Sequence, residues 1–177
     1  MNDAPNPTLG YALITGASTG IGLELARLFA ARRTPLLLVA SPRSTQILAD
    51  LASNLQTQYG VDVRPFCVDL GQTGGADDLA KWVQTQNLRV EYLVNNAGFG
   101  IAEQAVQDYE PERFAQMLQV NMNAPSRLIS HFLPPMVARG SGRILNVSSI
   151  AGYIYPHHLQ GAYAATKAYM VSLSESL

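Results

Sequence analysis

Cysteine is almost missing from this sequence: Cys67 stands alone among 177 residues. A single thiol excludes a disulfide framework and a cysteine-rich metal site within one chain. What remains for Cys67 is the role of a small buried apolar residue near a strand end. Charge is also sparse. Asp, Glu, Lys and Arg make up 14% of the chain, against about 25% in an average soluble domain. The formal net charge is −1 and there is no basic run, so a phosphate-binding footprint for nucleic acid is not expected. Long apolar stretches are absent as well. The clearest, residues 35–40, falls far short of the roughly 20 residues that a membrane-spanning helix needs. The first ten residues are polar and proline-rich, with no apolar signal core. No membrane partner and a cytoplasmic location are the simplest expectations. So little charge implies that part of the surface is covered, which makes a homo-oligomer the expected state. No internal repeat, low-complexity tract or linker divides the chain.

What is present is a regular alternation of short apolar runs and helical periods. Apolar residues make up 47% of the sequence, and its length suits one domain with a sizeable core. Residues 11–14 form a short apolar run leading into Thr15-Gly16-Ala17-Ser18-Thr19-Gly20-Ile21-Gly22. Beyond it Ile21, Leu25, Leu28 and Phe29 recur at helical spacing. Strand, glycine loop and helix are the opening parts of a dinucleotide-binding unit. Its glycines allow a tight turn and close backbone approach, and the helix start offers free N–H groups to a pyrophosphate. The TGxxxGxG spacing departs from GxGxxG, and an ordinary glycine-rich turn has the same local appearance.

Residues 36–40 form a continuous apolar run that suits a central parallel strand. A site selective for NAD commonly places a carboxylate at the end of this strand to bind the ribose hydroxyls. Here the run ends Val39-Ala40-Ser41, followed by Arg43, with Arg32 and Arg33 closing the helix before it. A missing acid and nearby guanidinium groups suit a 2′-phosphate, so NADP(H) is the expected cofactor, with NAD(H) a possible one. Solvated surface arginines would give the same local pattern.

Residues 44–58 read as helix, stopped by Gly60. Residues 61–68 read as the third strand, followed by Asp69 and Leu70 at its carboxyl end. Asp69 could accept from an adenine amino group or cap the next helix. Residues 73–87 form another helix, with Leu79 and Val83 apolar and Trp82 a packing residue. Residues 90–94 read as the fourth strand and open into Asn95-Asn96-Ala97-Gly98, where small residues leave room for a flat ligand. A plain turn fits equally well. Residues 99–110 read as loop and Pro111 starts a helix with Phe114, Met117 and Leu118 on one face. Asn121 lies inside that helix, and Pro125 removes a backbone bond near it, so a local kink is expected there. Pro134-Pro135 is expected to end or bend the helix again. Residues 143–147 read as the fifth strand, leading into Ser148-Ser149. The next loop carries Tyr153, Tyr155, His157 and His158, the histidines read as loop or pocket-wall residues rather than metal ligands.

The last helix, from residue 161, carries Tyr163 and Lys167 at i and i+4, on one face. A phenol is a poor acid or base at neutral pH, its reference pKa being about 10. A nearby ammonium favours the phenolate and makes a general acid/base of it. The alternation as a whole predicts an α/β fold, one parallel sheet doubly wound by helices, in a single domain over residues 1–177.

Thr15 to Gly22, Asp69, Asn95 to Gly98, Asn121, Ser149, Tyr163 and Lys167 occur in the order and near the spacing of one family. The chain resembles the short-chain dehydrogenase/reductase family, in its single-domain NAD(P)-dependent form. TGxxxGxG is closer to this form than to the sugar-nucleotide epimerases and dehydratases, which use TGxxGxxG. The resemblance implies a Rossmann fold of strand order 3-2-1-4-5, and an oxidoreductase that interconverts a carbonyl and an alcohol on a small-molecule substrate. It implies Tyr163 as acid/base, Lys167 on the nicotinamide ribose, and Asn121 holding a water in a proton relay. Ser149, rather than Ser148, would polarise the carbonyl, because the family's serine stands three residues before the glycine matched by Gly152. For the cofactor it implies Gly16, Ser18, Thr19, Gly20, Ile21 and Gly22 at the loop. Arg43, Asp69 and Leu70 would lie on the adenosine side, and Asn95, Ala97 and Gly98, with Tyr163 and Lys167, beside them. Two departures stand out. The gap from Ser149 to Tyr163 is about one residue longer than usual, and the chain stops in mid-helix where the family continues into further strands and a substrate-covering loop. A truncated enzyme is therefore expected, the alternative being a nucleotide-binding module without activity. Subunit contacts through the helix of residues 112–136 and the one from 161 are implied by relatives. A methyltransferase would leave Ser149, Tyr163 and Lys167 unexplained.

Overall fold

The computed structural model describes residues 10–101, 104–154 and 159–177. Tyr155, Pro156, His157 and His158, singled out in the sequence, lie outside the described residues. Five parallel strands form the sheet: β1 (Tyr11–Thr15), β2 (Leu36–Ala40), β3 (Val63–Cys67), β4 (Val90–Asn95) and β5 (Arg143–Asn146), in the order β3-β2-β1-β4-β5. The helices are α1 (Gly20–Ala31), α2 (Thr45–Tyr59), α3 (Gly75–Thr85), α4 (Pro111–Leu118), α5 (Ala124–Arg139) and α6 (Gly161–Glu175). The expected doubly wound order is therefore the one found.

Strand alternation sends successive side chains to opposite faces, and each face has its own cover. Ala12, Ile14, Leu36 and Leu38 pack with Ala26 and Ala30 of α1 and with Leu48, Leu51 and Leu55 of α2. Leu13, Leu37, Val39 and Leu93 pack with Leu79 and Val83 of α3 and with Leu128, Ile129 and Phe132 of α5. All five residues of β2 are buried, which is why that strand reads as an unbroken apolar run. Trp82 stacks on Phe66 with ring centroids 4.5 Å apart, a packing contact. Pro65 lies in β3, at the edge of the sheet, where a missing N–H costs least. The opposite edge is β5, whose Leu145 is 45% exposed.

Two chain terminations depend on conformation. Gly60 ends α2 at φ 63°, a left-handed cap that glycine adopts without strain. Pro134-Pro135, in contrast, does not end α5, which continues to Arg139. Both prolines are exposed, so the carbonyls they leave without a partner can reach water. The expected disturbance at Asn121 takes the form of a π turn, Gln119–Asn123, between α4 and α5. No helix among the described residues is long and apolar enough to cross a membrane.

Candidate active site

Strand β1 has β2 on one side and β4 on the other, so the crossovers leave it in opposite directions. Such a switch point opens a crevice beyond the carboxyl ends of the strands. The crevice here is a cleft of about 880 Å³, in the range of cofactor and ligand sites. Gly16, Ser18, Thr19 and Ile21 line it after β1, and Ser41, Pro42 and Arg43 after β2. Val68, Asp69, Leu70 and Gly71 line it after β3, and Asn96, Ala97, Gly98 and Phe99 after β4. Arg113, Gln116 and Val120 close one wall; Val147, Ser148, Tyr163 and Lys167 close the far end.

The glycine loop is built to let something close to its backbone. Gly16 has φ 66° and its Cα faces Ala97 and Asn96; Gly20 has φ 57° with open space beyond it. Thr19 is the N-cap of α1 but its side chain makes no capping bond. The first N–H groups of α1 are thus left for an anion at the dipole's positive end. Thr15 ties the loop to β4: its hydroxyl donates to the Val94 carbonyl at 3.2 Å and accepts from the N–H groups of Asn96 and Ala97, each at 3.0 Å. The Asn96 amide donates back to the carbonyls of Thr15 and Gly16, at 2.8 and 3.1 Å. These features fit a pyrophosphate.

Of the two asparagines, Asn96 lines the cleft, whereas Asn95 is buried and donates to Asn146 of β5 at 2.9 Å. Sequence reasoning singled out Asn95 and missed Asn96. The sequence reading ends this strand at residue 94, one residue early; β4 runs to Asn95, which makes Asn96 the first residue past it. Gly20 and Gly22 likewise shape the loop without lining the cleft. Of the three arginines, only Arg43 faces the cleft; Arg33 caps α2 by donating to the Tyr59 carbonyl. Asp69 lines the cleft and accepts from the Gly71 N–H at 2.8 Å; this closes the turn after β3 and does not cap the next helix, because α3 starts at Gly75 behind Gly74 with no side-chain cap.

At the far end, Lys167 is 5% exposed, and its Nζ lies 5.7 Å from the centroid of the Tyr163 ring, within cation–π range. The two groups share one face of α6, as their spacing requires. Lys167 donates to the Val147 carbonyl at 3.0 Å, and burial holds its ammonium below the usual lysine range. Gly98 and Gly100 flank them. A Cβ at Gly98 would lie 3.3 Å from Lys167 Nζ, and one at Gly100 would lie 3.1 Å from the Tyr163 ring. Gly152 lies against the backbone of Lys167 and Ala168, where a Cβ would come within 2.8 Å; this brings the serine loop onto α6. The Ser148 hydroxyl donates to the Lys167 carbonyl at 2.8 Å. Ser149 is not among the residues that line the cleft; its hydroxyl accepts from the Ala151 N–H at 3.2 Å and donates to none of the described residues. Asn121, outside the cleft lining, is held by Phe99: Oδ1 accepts from its N–H at 3.1 Å and Nδ2 donates to its carbonyl at 2.9 Å.

A sequence model described as short chain dehydrogenase matches residues 10–177. The chain is 34% identical over 167 residues to a fatty acyl-CoA reductase of Acinetobacter baylyi, covering 94% of this chain and 55% of that protein. It is 33% identical over 179 residues to very-long-chain 3-oxoacyl-CoA reductase-A of Danio rerio, covering 99% of this chain and 54% of that protein. Among solved structures, a short-chain dehydrogenase from Sphingobium yanoikuyae in complex with NADPH superposes with a TM-score of 0.88 at 32% identity, covering 96% of this chain and 64% of that one. The chain spans about half the length of the curated relatives it matches.

Proposed function

This chain belongs to the short chain dehydrogenase family, and on that premise we propose that it interconverts a carbonyl and an alcohol with NADP(H) as the preferred cofactor. The observation that carries the proposal is the buried Lys167 ammonium 5.7 Å from the Tyr163 ring at the end of a cleft with a glycine cradle. NADPH, when bound, supplies the hydride. The α1 N-terminus and the Gly16 loop would hold its pyrophosphate, and Arg43 its 2′-phosphate. The absence of a carboxylate after β2 supports that preference, as does the NADPH in the Sphingobium relative.

In the reducing direction the Tyr163 hydroxyl gives its proton to the substrate oxygen. Ser149 donates a hydrogen bond to the same oxygen, since its proton is committed to none of the described residues, whereas that of Ser148 goes to the Lys167 carbonyl. An ammonium has three donors. With one on Val147, Lys167 keeps two for the ribose hydroxyls and for favouring the phenolate left on Tyr163. Asn121 contributes through its backbone: the π turn at Gln119–Asn123 takes its carbonyl out of the regular α-helical ladder, and that oxygen would hold the relay water. The two curated relatives are named for reactions on acyl-CoA thioesters, so ketones with an apolar chain are the first substrates to try.

The test is Tyr163→Phe, assayed for NADPH oxidation over a panel of ketones alongside NADPH binding by fluorescence. We expect turnover to fall by a factor of about 100 or more, with binding nearly unchanged. Undiminished turnover would remove Tyr163 from the mechanism. NADPH binding by the parent chain without oxidation of any ketone would leave a nucleotide-binding scaffold instead of an enzyme.

A further inference from the structure

Thr166 stands immediately before Lys167 and has no part in the mechanism above. It is wholly buried, at 0% exposure, in the interior of α6. Its hydroxyl donates to the Tyr163 carbonyl at 2.7 Å and accepts from Asn121 Nδ2 at 3.0 Å. The first bond is the back-bonding habit of threonine in a helix. It uses the hydroxyl's only proton, so toward Asn121 the oxygen can act only as an acceptor.

That restriction and the Phe99 backbone hold the Asn121 amide in the same orientation. With nitrogen toward Thr166, one N–H meets the hydroxyl, the other meets the Phe99 carbonyl, and Oδ1 receives the Phe99 N–H. Turned over, the amide would set oxygen against the Thr166 hydroxyl oxygen and the Phe99 carbonyl, and nitrogen against the Phe99 N–H. A buried group left without its hydrogen bonds is costly, so one orientation is held. Phe99 lies between Gly98 and Gly100, the two residues whose backbone stands against Lys167 and the Tyr163 ring.

We infer that Thr166 is a positioning residue: its hydroxyl orients the Asn121 amide, which clamps the Phe99 backbone and so sets the cleft wall against which Tyr163 and Lys167 work. This rests on the assignment of Tyr163 as acid/base. A hydroxyl that never touches substrate thereby governs the geometry of proton transfer.

Two readouts on the same proteins test it. Thr166→Val keeps the shape and loses both hydrogen bonds, whereas Thr166→Ser keeps both. The valine variant should lose kcat for ketone reduction by a factor on the order of 100 at an unchanged NADPH dissociation constant, and the serine variant should stay close to the parent. Independently of turnover, amide hydrogen exchange at Phe99 should quicken about tenfold in the valine variant and not in the serine variant. Should the valine variant not fold, Thr166→Ala is read in the same way. Unchanged exchange at Phe99 in the valine or alanine variant overturns the inference. So does a serine variant as slow as the valine one. If the parent chain reduces no ketone, the assignment of Tyr163 fails, and exchange at Phe99 alone decides whether Thr166 holds the wall.

Discussion

The Lys167 ammonium donates to the carbonyl of Val147 at 3.0 Å, joining the middle of α6 to the residue that follows β5. Its burial gives a pH dependence of defined sign. Desolvation lowers the folded-state pKa of Lys167 from the ordinary 10.5. Between that lowered value and 10.5 the unfolded chain binds more protons than the folded one, so this contribution to stability rises with pH and is lost as pH falls through the folded value. Lys167→Met has no such titration. The parent's urea unfolding midpoint, measured up to pH 10.5, should rise relative to the variant's across this window. Parallel curves would mean that the lysine is solvated rather than buried.

Tyr11 gives the opposite sign in the neighbouring range. Its hydroxyl donates to Asp62 Oδ2 at 2.5 Å. Burial first, then the Asp62 carboxylate, pushes the phenol from 10.0 up to about 12. The stabilisation is complete below 10.0 and is lost as pH rises toward about 12. We expect Tyr11→Phe to cost about 1 kcal/mol at neutral pH, with partial exposure keeping it below a fully buried charged pair. The difference from the parent should vanish at the alkaline end. A constant difference at every pH would show that the loss is one of packing alone.

The two glycines at the start of α1 should respond differently to alanine. A Cβ at Gly22 would overlap the Gly16 carbonyl and the Asn96 amide, whereas one at Gly20 would meet nothing within 4 Å. Gly22→Ala should therefore cost about 1–3 kcal/mol through overpacking and weaken NADPH binding as the loop shifts. Gly20→Ala should show only the strain of a positive φ, roughly 1–2 kcal/mol. Thermal unfolding and NADPH titration of both variants check this, and equal losses in binding would refute the distinction.

Arg43→Ala tests the cofactor preference. Removing a guanidinium that meets a phosphate should weaken NADPH by about 2 kcal/mol, a factor of about 30. NADH, lacking the 2′-phosphate, should bind as before. Equal weakening of both would move Arg43 to some other part of the cofactor.

Much of this was legible because it depends on neighbours along the chain. Leu36 to Ala40 is buried on both faces, so burial itself makes it a continuous apolar run. Tyr163 and Lys167 share a helix face through local geometry alone. The missing acid after β2 is likewise a fact of sequence, whereas that Arg43 and neither Arg32 nor Arg33 lines the cleft is shown only by the fold. Of the two outcomes expected at Pro134-Pro135, an end or a bend, the end does not occur, because solvent at that face decides whether the orphaned carbonyls are tolerated, and exposure is not a local property.

Composition, periodicity and motif order determined that this chain forms a doubly wound parallel sheet with a phenol and an ammonium on its last described helix. Tertiary structure decided which side chains remain free to act. Asn95 is turned to Asn146, 51 residues away, and Asn96 is left at the cleft. Ser148 is committed to the Lys167 carbonyl, whereas Ser149 donates to none of the described residues. The Asn121 amide is fixed by Thr166, 45 residues distant. Hydrogen-bond donors and acceptors saturate pairwise, and their partners are brought within reach only by folding.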